Sequence, residues 1–365
     1  MRALVLNSTQ PKHPHGGLPW VGATLGAIEE LASQKHSFIA SVGTLAWELA
    51  LWKIAAARAP VHVLCPIAHA QDEEEARLQI ERDFDIDPAL ATWRFLRSEK
   101  RSERLKDTWL RRDAAAIDAA ERIFPISIRS KGKMHLALQS SALRDRIDGR
   151  YQIPYERDPE ARPWQLPAQR ALASPGMRML LHFTRSCDTP WPGESRARFY
   201  AAIAKSSGRY PRDAFSTLVR IVDERCIRAS TFRIRGRGAT VSFTALDPAD
   251  ALSLVRWRSR YARFAFEPYA VGISWEAAVR AGAQPVVYDP GAARTLEGTE
   301  SVLHQGRGEA GGWEAEQEWR IEGNVDLAAL DPSEVVVLTA TATEADSLRC
   351  RWPFQVRDLG CTPAL

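Results

Sequence analysis

The sequence predicts two domains of different class, a parallel α/β domain followed by an α+β domain. Three observations carry this reading. Over roughly the first 135 residues short apolar runs alternate with helix-period segments, a proline-rich stretch without periodicity follows, and beyond it strands stand mostly on their own. With 365 residues, 45% of them hydrophobic and 26% charged, the chain can build two cores; disorder throughout, collagen and coiled coil are excluded.

In order, ALVLN at 3–7 and FIASV at 38–42 read as buried strands, and 44–58 reads as a helix through Leu45, Leu49 and Trp52. VHVLCPI at 61–67 is a third strand, 72–84 a charged helix, WRFLR at 93–97 a fourth strand, and 113–123 a helix running into a fifth strand, FPISIR. Strands separated by helices pair in parallel, because each crossover returns over a sheet face. Residues 1–138 therefore read as a Rossmann-like nucleotide-binding domain. Residues 139–176, with Pro154, Pro159, Pro163, Pro167 and Pro175, read as a linker or arm. Residues 177–365 read as α+β, with strands at 179–184, 239–246, 265–274, 285–289, 314–323 and 334–340.

The 49 Lys/Arg and 45 Asp/Glu leave a net charge of only +4, but residues 181–280 hold 17 basic against 9 acidic side chains and residues 281–365 hold 6 against 14. A basic stretch followed by an acidic one within one domain suggests two sides of one cleft. The small sum gives no ground for general nucleic-acid binding. Five scattered cysteines without a Cys-x-x-Cys pair argue against a disulfide framework or zinc site, so no metal is expected. No apolar run approaches the ~18 residues that cross a bilayer, and the expected setting is a reducing cytoplasm without membrane contact.

In the first domain Ser41-Val42-Gly43-Thr44 lies at a strand-to-helix turn, where unpaired helix N–H groups attract anions. Gly43 would admit a phosphate, Thr44 would cap the helix or donate its hydroxyl, and Glu48 sits one turn in. The string resembles a degenerate Gly-Gly-x-Gly-Thr loop of the lysine-decarboxylase-like and DNA-processing group of Rossmann domains. That resemblance implies nucleotide binding or nucleoside-phosphate hydrolysis; a simple N-cap explains Thr44 equally well. Ser127 and Arg129, with Lys131 and Gly132, form a second candidate phosphate loop or a solvated turn. His13 and His15 are too few for a metal.

In the second domain a strand over 313–320 would place Trp313, Ala315, Gln317 and Trp319 on one face and Glu314, Glu316, Glu318 and Arg320 on the other. Neighbouring carboxylates raise one another's pKa while a guanidinium opposes them, which suits a tuned acid, base or cation-stabilising group; an acidic solvent-facing strand is the plain alternative. Arg256-Trp257-Arg258 through Arg263-Phe264 mixes cations with aromatics, fit for phosphates, a nucleic-acid strand, or merely a basic helix face.

The succession LLHFTR, IRAS, VSFTALDP, RYARFAFEPYAVGISWEAAVRAGAQPVVY and WEAEQEWR resembles the bacterial domain associated with abortive phage infection, over about residues 179–323. The resemblance implies an ADP-ribosyltransferase-like split sheet that takes NAD as substrate. In it His182 and Thr184 would anchor the dinucleotide and a glutamate, Glu318 or Glu316, would be catalytic. Arg185 or an arginine of 256–263 would meet the pyrophosphate, Ser242 would line the site, and Tyr261 or Tyr269 would stack on nicotinamide. No clear Ser-Thr-Ser motif separates the His and Glu strands; only Ser230-Thr231 and Ser242 offer hydroxyls. The expected function is ADP-ribosyl transfer from NAD, or NAD hydrolysis, in phage defence or as a toxin, with a nucleotide-sensing N-terminal domain. Two alternatives stand beside it: an inactive nucleotide-binding sensor or assembly protein, and a nucleoside-phosphate hydrolase. Expected partners are a nucleotide, a nucleic-acid or protein acceptor, and further copies of the chain.

Overall fold

The computed structural model describes residues 1–156, 164–166, 178–231, 238–258, 263–289, 302–305, 314–352 and 354–363. They form two compact units, Met1–Pro159 with Gly193–Pro211 and Glu160–Pro192 with Arg212–Leu365.

The first unit is built on an all-parallel sheet of β1 (Arg2–Leu6), β2 (Ser37–Ser41), β3 (Val61–Ile67), β4 (Ala91–Arg97) and β5 (Arg122–Pro125), in the order β4-β3-β2-β1-β5. Both faces are covered, which is why the inner strands are almost wholly apolar. Ala3, Val5, Phe38, Ala40, Val61 and Val63 pack with α1 (Pro19–Ser33) and α2 (Leu45–Ala56). Leu4, Leu6, Ile39 and Leu64 pack on the other face with Ala116 and Ile117 of a helix at Trp109–Ala119.

Two features of this unit differ from expectation. Helix α1, unassigned from sequence because Gly22 and Gly26 dilute its pattern, buries Trp20, Val21, Thr24, Ala27, Ile28 and Leu31 at helical spacing. The helix Arg196–Lys205, placed by sequence in the second domain, belongs to the first unit. Its Phe199, Tyr200 and Ile203 are at most 2% exposed and complete the core beside α1 and α2. An apolar face finds its partner regardless of where it falls in the chain.

The second unit holds a seven-stranded mixed sheet. Its strands are β6 (Met179–Phe183), β7 (Thr240–Thr244), β8 (Ala270–Ser274), β9 (Gln284–Pro285), β10 (Glu318–Glu322), β11 (Val335–Thr339) and β12 (Gln355–Asp358), in the order β9-β10-β7-β6-β8-β11-β12. Every pairing is antiparallel except β11 with β12. At the centre, Gly272 leaves room for its cross-strand neighbours: a Cβ there would lie 2.8 Å from Val336 Cγ1 and 2.9 Å from Leu181 Cδ2. The junction between β6 and β7 is the weakest in register, with the single pair Leu181 and Thr244, whereas β7 and β10 share five. Among the described residues no helix is long and apolar enough to cross a membrane, and no group of three or more His, Cys, Asp or Glu could hold a metal ion.

Candidate functional site

Strand parity decides which of the expected residues meet. Glu318 lies opposite Thr244, Arg320 opposite Ser242, and Glu322 opposite Thr240. Cross-strand partners share a face, so Thr240, Ser242 and Thr244 form a hydroxyl stripe beside Glu318 and Arg320. Leu181 also opposes Thr244, which turns its neighbour His182 to the other face. There the His182 ring meets Phe243 at 5.8 Å, and its Nδ1–H donates to the Ser242 carbonyl at 2.8 Å. The expected convergence of His182 with Glu318 is therefore corrected: the sheet separates them. Burial also pushes the His182 pKa down, which keeps the ring neutral.

Glu316 departs from expectation in another way. The strand starts only at Glu318; Glu314–Glu316 is a 3₁₀ turn, and Gln317 is left-handed with φ +43°. The turn is tied to the end of β7: Thr244 Oγ1 donates to the Glu316 carbonyl at 2.6 Å and the Ala245 N–H to the Gln317 carbonyl at 3.1 Å. A non-glycine residue held in this sparsely populated region costs of order 1–3 kcal/mol and persists because its surroundings hold it. Its effect is to bring Glu316 off the strand axis, against Arg258, whose Nη2 lies 3.1 Å from Oε1. Burial raises the Glu316 pKa, and nearby Glu318 pushes the same way against Arg258.

Glu318 is held differently. Arg320 Nε donates to Oε1 at 2.8 Å and Nη2 to Oε2 at 3.1 Å, a fork-shaped pairing. Arg320 is 2% exposed and donates also to the Val302 carbonyl and to Gln305 Oε1. Gln305 pairs with Tyr288 across the parallel two-residue strands Val287–Tyr288 and His304–Gln305. Burial, with Glu318 and Glu316 close by, raises the Tyr288 pKa well above its ordinary value. The Tyr288 hydroxyl, with the Glu318 backbone close to it, and Arg258 Nε are buried without a partner in hydrogen-bonding geometry. Buried polar groups are normally satisfied, so unpartnered atoms beside two carboxylates mark where a ligand group would bond.

The other expected contacts of the second unit are mostly structural. Thr184, 3% exposed, donates to the Ala214 carbonyl at 2.8 Å. Tyr269, also 3% exposed, packs between Trp164 and Phe215 and donates to Glu344 Oε1 at 3.0 Å, so its ring is not free to stack on nicotinamide. Arg185 is half-buried after β6. Tyr261 and Trp313 lie outside the described residues.

In the first unit the turn after β2 is closed by the chain itself. Gly43, with φ +103°, gives its N–H to Glu48 Oε1 at 2.9 Å. Glu48 Oε2 accepts from Tyr200 at 2.8 Å and from Arg196. An internal carboxylate thus stands where a phosphate was expected. Ser41 is spent on the Leu64 carbonyl at 2.5 Å, and Thr44 holds the N-cap position without a side-chain cap bond. Arg112, missed from sequence and 2% exposed, donates to the Val42 carbonyl at 3.0 Å and pairs with Asp113. It also lies over the rings of Trp47 and Trp109. Ser127 and Arg129 follow β5: the Ser127 carbonyl accepts from the Ser8 N–H at 3.0 Å and the Arg129 N–H donates to Ser8 Oγ at 2.9 Å.

Sequence reasoning overlooked the Thr240-x-Ser242-x-Thr244 alternation, a period-two hydroxyl pattern present in TVSFT, and it overlooked Tyr288. No protein-family model matches the chain and no curated protein does. Among solved structures, DNA processing protein A from Helicobacter pylori, described for its single-stranded DNA binding mode, is similar at 12% identity and a TM-score of 0.27. The match covers 36% of this chain and 56% of that one, so the chain spans about half of that protein's length.

Proposed function

We propose that the second unit cleaves the nicotinamide–ribose bond of NAD, passing ADP-ribose to water or to an acceptor. The observation that carries this reading is the pairing of two unlike carboxylates with unpartnered buried donors: Glu318 forked by Arg320, Glu316 with its pKa raised by burial, and Tyr288 beside both. Two carboxyl groups in different environments divide the work of glycosidic cleavage. As the C–N bond breaks, its electron pair leaves with nicotinamide and C1′ of the ribose becomes cationic. Glu318 stabilises that cation, and Glu316 takes the proton from the attacking water or acceptor hydroxyl. Ser242 of the β7 stripe and Arg258 supply hydrogen bonds to the rest of the substrate.

This placement keeps the glutamates of the family resemblance and releases His182, which serves the Ser242 carbonyl. Phage defence or toxicity remains the biological setting that the resemblance suggests. The alternative hydrolase in the first unit is disfavoured, because three donors already occupy the carboxylate of Glu48.

The test is nicotinamide release from NAD by the purified chain. Loss of one transition-state partner costs about 10²–10³ in rate. Glu318→Gln is expected to lose at least that much, while Glu316→Gln slows the reaction and flattens its pH profile. No release by wild type with water, protein or nucleic acid as acceptor would refute the proposal.

A further inference from the structure

The first unit carries a second, independent set of polar groups at the point where the strand order of the sheet reverses. From β1 the chain crosses to β2 on one side, whereas β5 lies on the other, and parallel sheets bind ligands beyond the carboxyl ends of the strands at such a switch. The residues there are polar and deeply buried: Asn7 is 7% exposed, Ser8 and Gln10 9%, and Ser127 1%. A packed core would fill such positions with apolar side chains.

Asn7 is fixed in a definite orientation. Thr24 Oγ1 spends its one proton on the Trp20 carbonyl at 2.6 Å, so towards Asn7 it can only accept, and the Asn7 amide must turn Nδ2 to it at 3.0 Å. Asn7 Oδ1 is thereby aimed away from Thr24, and it is buried without a partner. The Trp20 Nε1–H, one turn earlier on the helix, is likewise buried without one. An unused acceptor and an unused donor on the α1 side of β1 suit a hydroxyl, which both donates and accepts.

Directly after β5, Arg129 and Lys131 are exposed, followed by Lys133, and none of the three has a carboxylate partner among the described residues. Residues 9–18 lead from the end of β1 to α1 and are fastened to the segment after the helix Arg196–Lys205. Gly16 N–H donates to Ser206 Oγ at 3.2 Å, the Gly208 N–H to His15 Nδ1 at 3.2 Å, and the His13 ring lies 4.9 Å from that of Tyr210.

We infer that the ends of β1 and β5, beside the loop 9–18, bind a hydroxyl-bearing phosphate ester. Asn7 Oδ1 accepts from its hydroxyl, and Arg129 and Lys131 take its phosphate. The site uses other residues than the turn at Gly43 and does not depend on NAD cleavage in the second unit. Its ligand is a free sugar phosphate or the same moiety within a nucleotide.

The test is isothermal titration calorimetry of the full chain with ribose 5-phosphate, adenosine 5′-monophosphate and methyl phosphate, which lacks the carbon-bound hydroxyls. Ribose 5-phosphate is expected to bind at least about ten-fold more tightly than methyl phosphate, a difference that one to two well-placed hydrogen bonds supply. Equal affinity for adenosine monophosphate assigns the site to sugar phosphates in general, and higher affinity assigns it to nucleotides. The exposed double variant R129Q/K131Q, which leaves the buried groups untouched, is expected to weaken binding at least about ten-fold. Asn7→Ala should erase the preference over methyl phosphate; if it does not fold, the wild-type comparison of the two esters still decides. No binding of either organic phosphate at millimolar concentration overturns the inference. So does equal affinity for methyl phosphate, or a double variant that binds like wild type.

Discussion

Glu48, buried in the first unit, and Glu316, half-buried in the second, are both glutamates beside an arginine, yet their surroundings give them opposite fates. Glu48 receives the Gly43 N–H, the Tyr200 hydroxyl and the Arg196 guanidinium. Its oxygens hold a turn and a helix together and leave little for a ligand. Glu316 has one arginine, a neighbouring carboxylate and a pKa raised by burial, with unpartnered donors on Arg258 and Tyr288 close by. The lesson is that a carboxylate taking three donors from a turn and a helix is architecture, whereas one with a single arginine beside it keeps acceptor sites that a substrate can use.

The comparison can be broken first at Glu48. Glu48→Leu leaves the Gly43 N–H, the Tyr200 hydroxyl and the partly exposed Arg196 without their shared acceptor, and should cost about 3 kcal/mol in urea denaturation. A change below about 1 kcal/mol would mean that this cluster is no more than a surface ion pair. Second, Gly16→Ala should lower the melting temperature, because its Cβ would lie 2.5 Å from the Ala204 carbonyl oxygen and 2.6 Å from that of Ser206. Both contacts are backbone and cannot swing aside, so the loop must shift, at about 1–3 kcal/mol.

The smallest effect is the dependence of stability on pH at Glu316. Its folded pKa is raised above the ordinary 4.5, so the folded state holds this proton more tightly than the unfolded chain does. The resulting stabilisation is fully present below the unfolded pKa and is lost as pH rises through the folded one. Glu316→Gln has no such loss. Its melting temperature should therefore gain on wild type as pH rises from 4 towards neutrality, and parallel curves would remove the case for a tuned carboxyl.

Much of the architecture was legible in the sequence. Alternating apolar runs such as VHVLCPI located the parallel strands, and MLLHFT, TVSFT and EVVVLT located three strands of the mixed sheet. The basic and acidic stretches do meet: β7 and β10 are neighbours, and Arg258 reaches Glu316 across them. Three things were not legible. The helix Arg196–Lys205 joins the first unit because Phe199, Tyr200 and Ile203 match a core far away in sequence. Gln317 turns left-handed without glycine or asparagine to announce it, which displaces Glu316 from the strand. The face of His182 relative to Glu318 depends on the register of β6, β7 and β10, and one residue of register inverts a face.

That last point gives the most direct measurement: nicotinamide release from NAD by Glu318→Gln and His182→Gln, compared side by side with wild type. The glutamine at position 182 can still donate to the Ser242 carbonyl, so each variant tests one face of the sheet. If the hydroxyl-stripe face is the site, Glu318→Gln falls at least about 10²-fold while His182→Gln stays within a few-fold of wild type. Full activity in Glu318→Gln, or a loss in His182→Gln as deep as that expected for Glu318→Gln, would contradict the assignment.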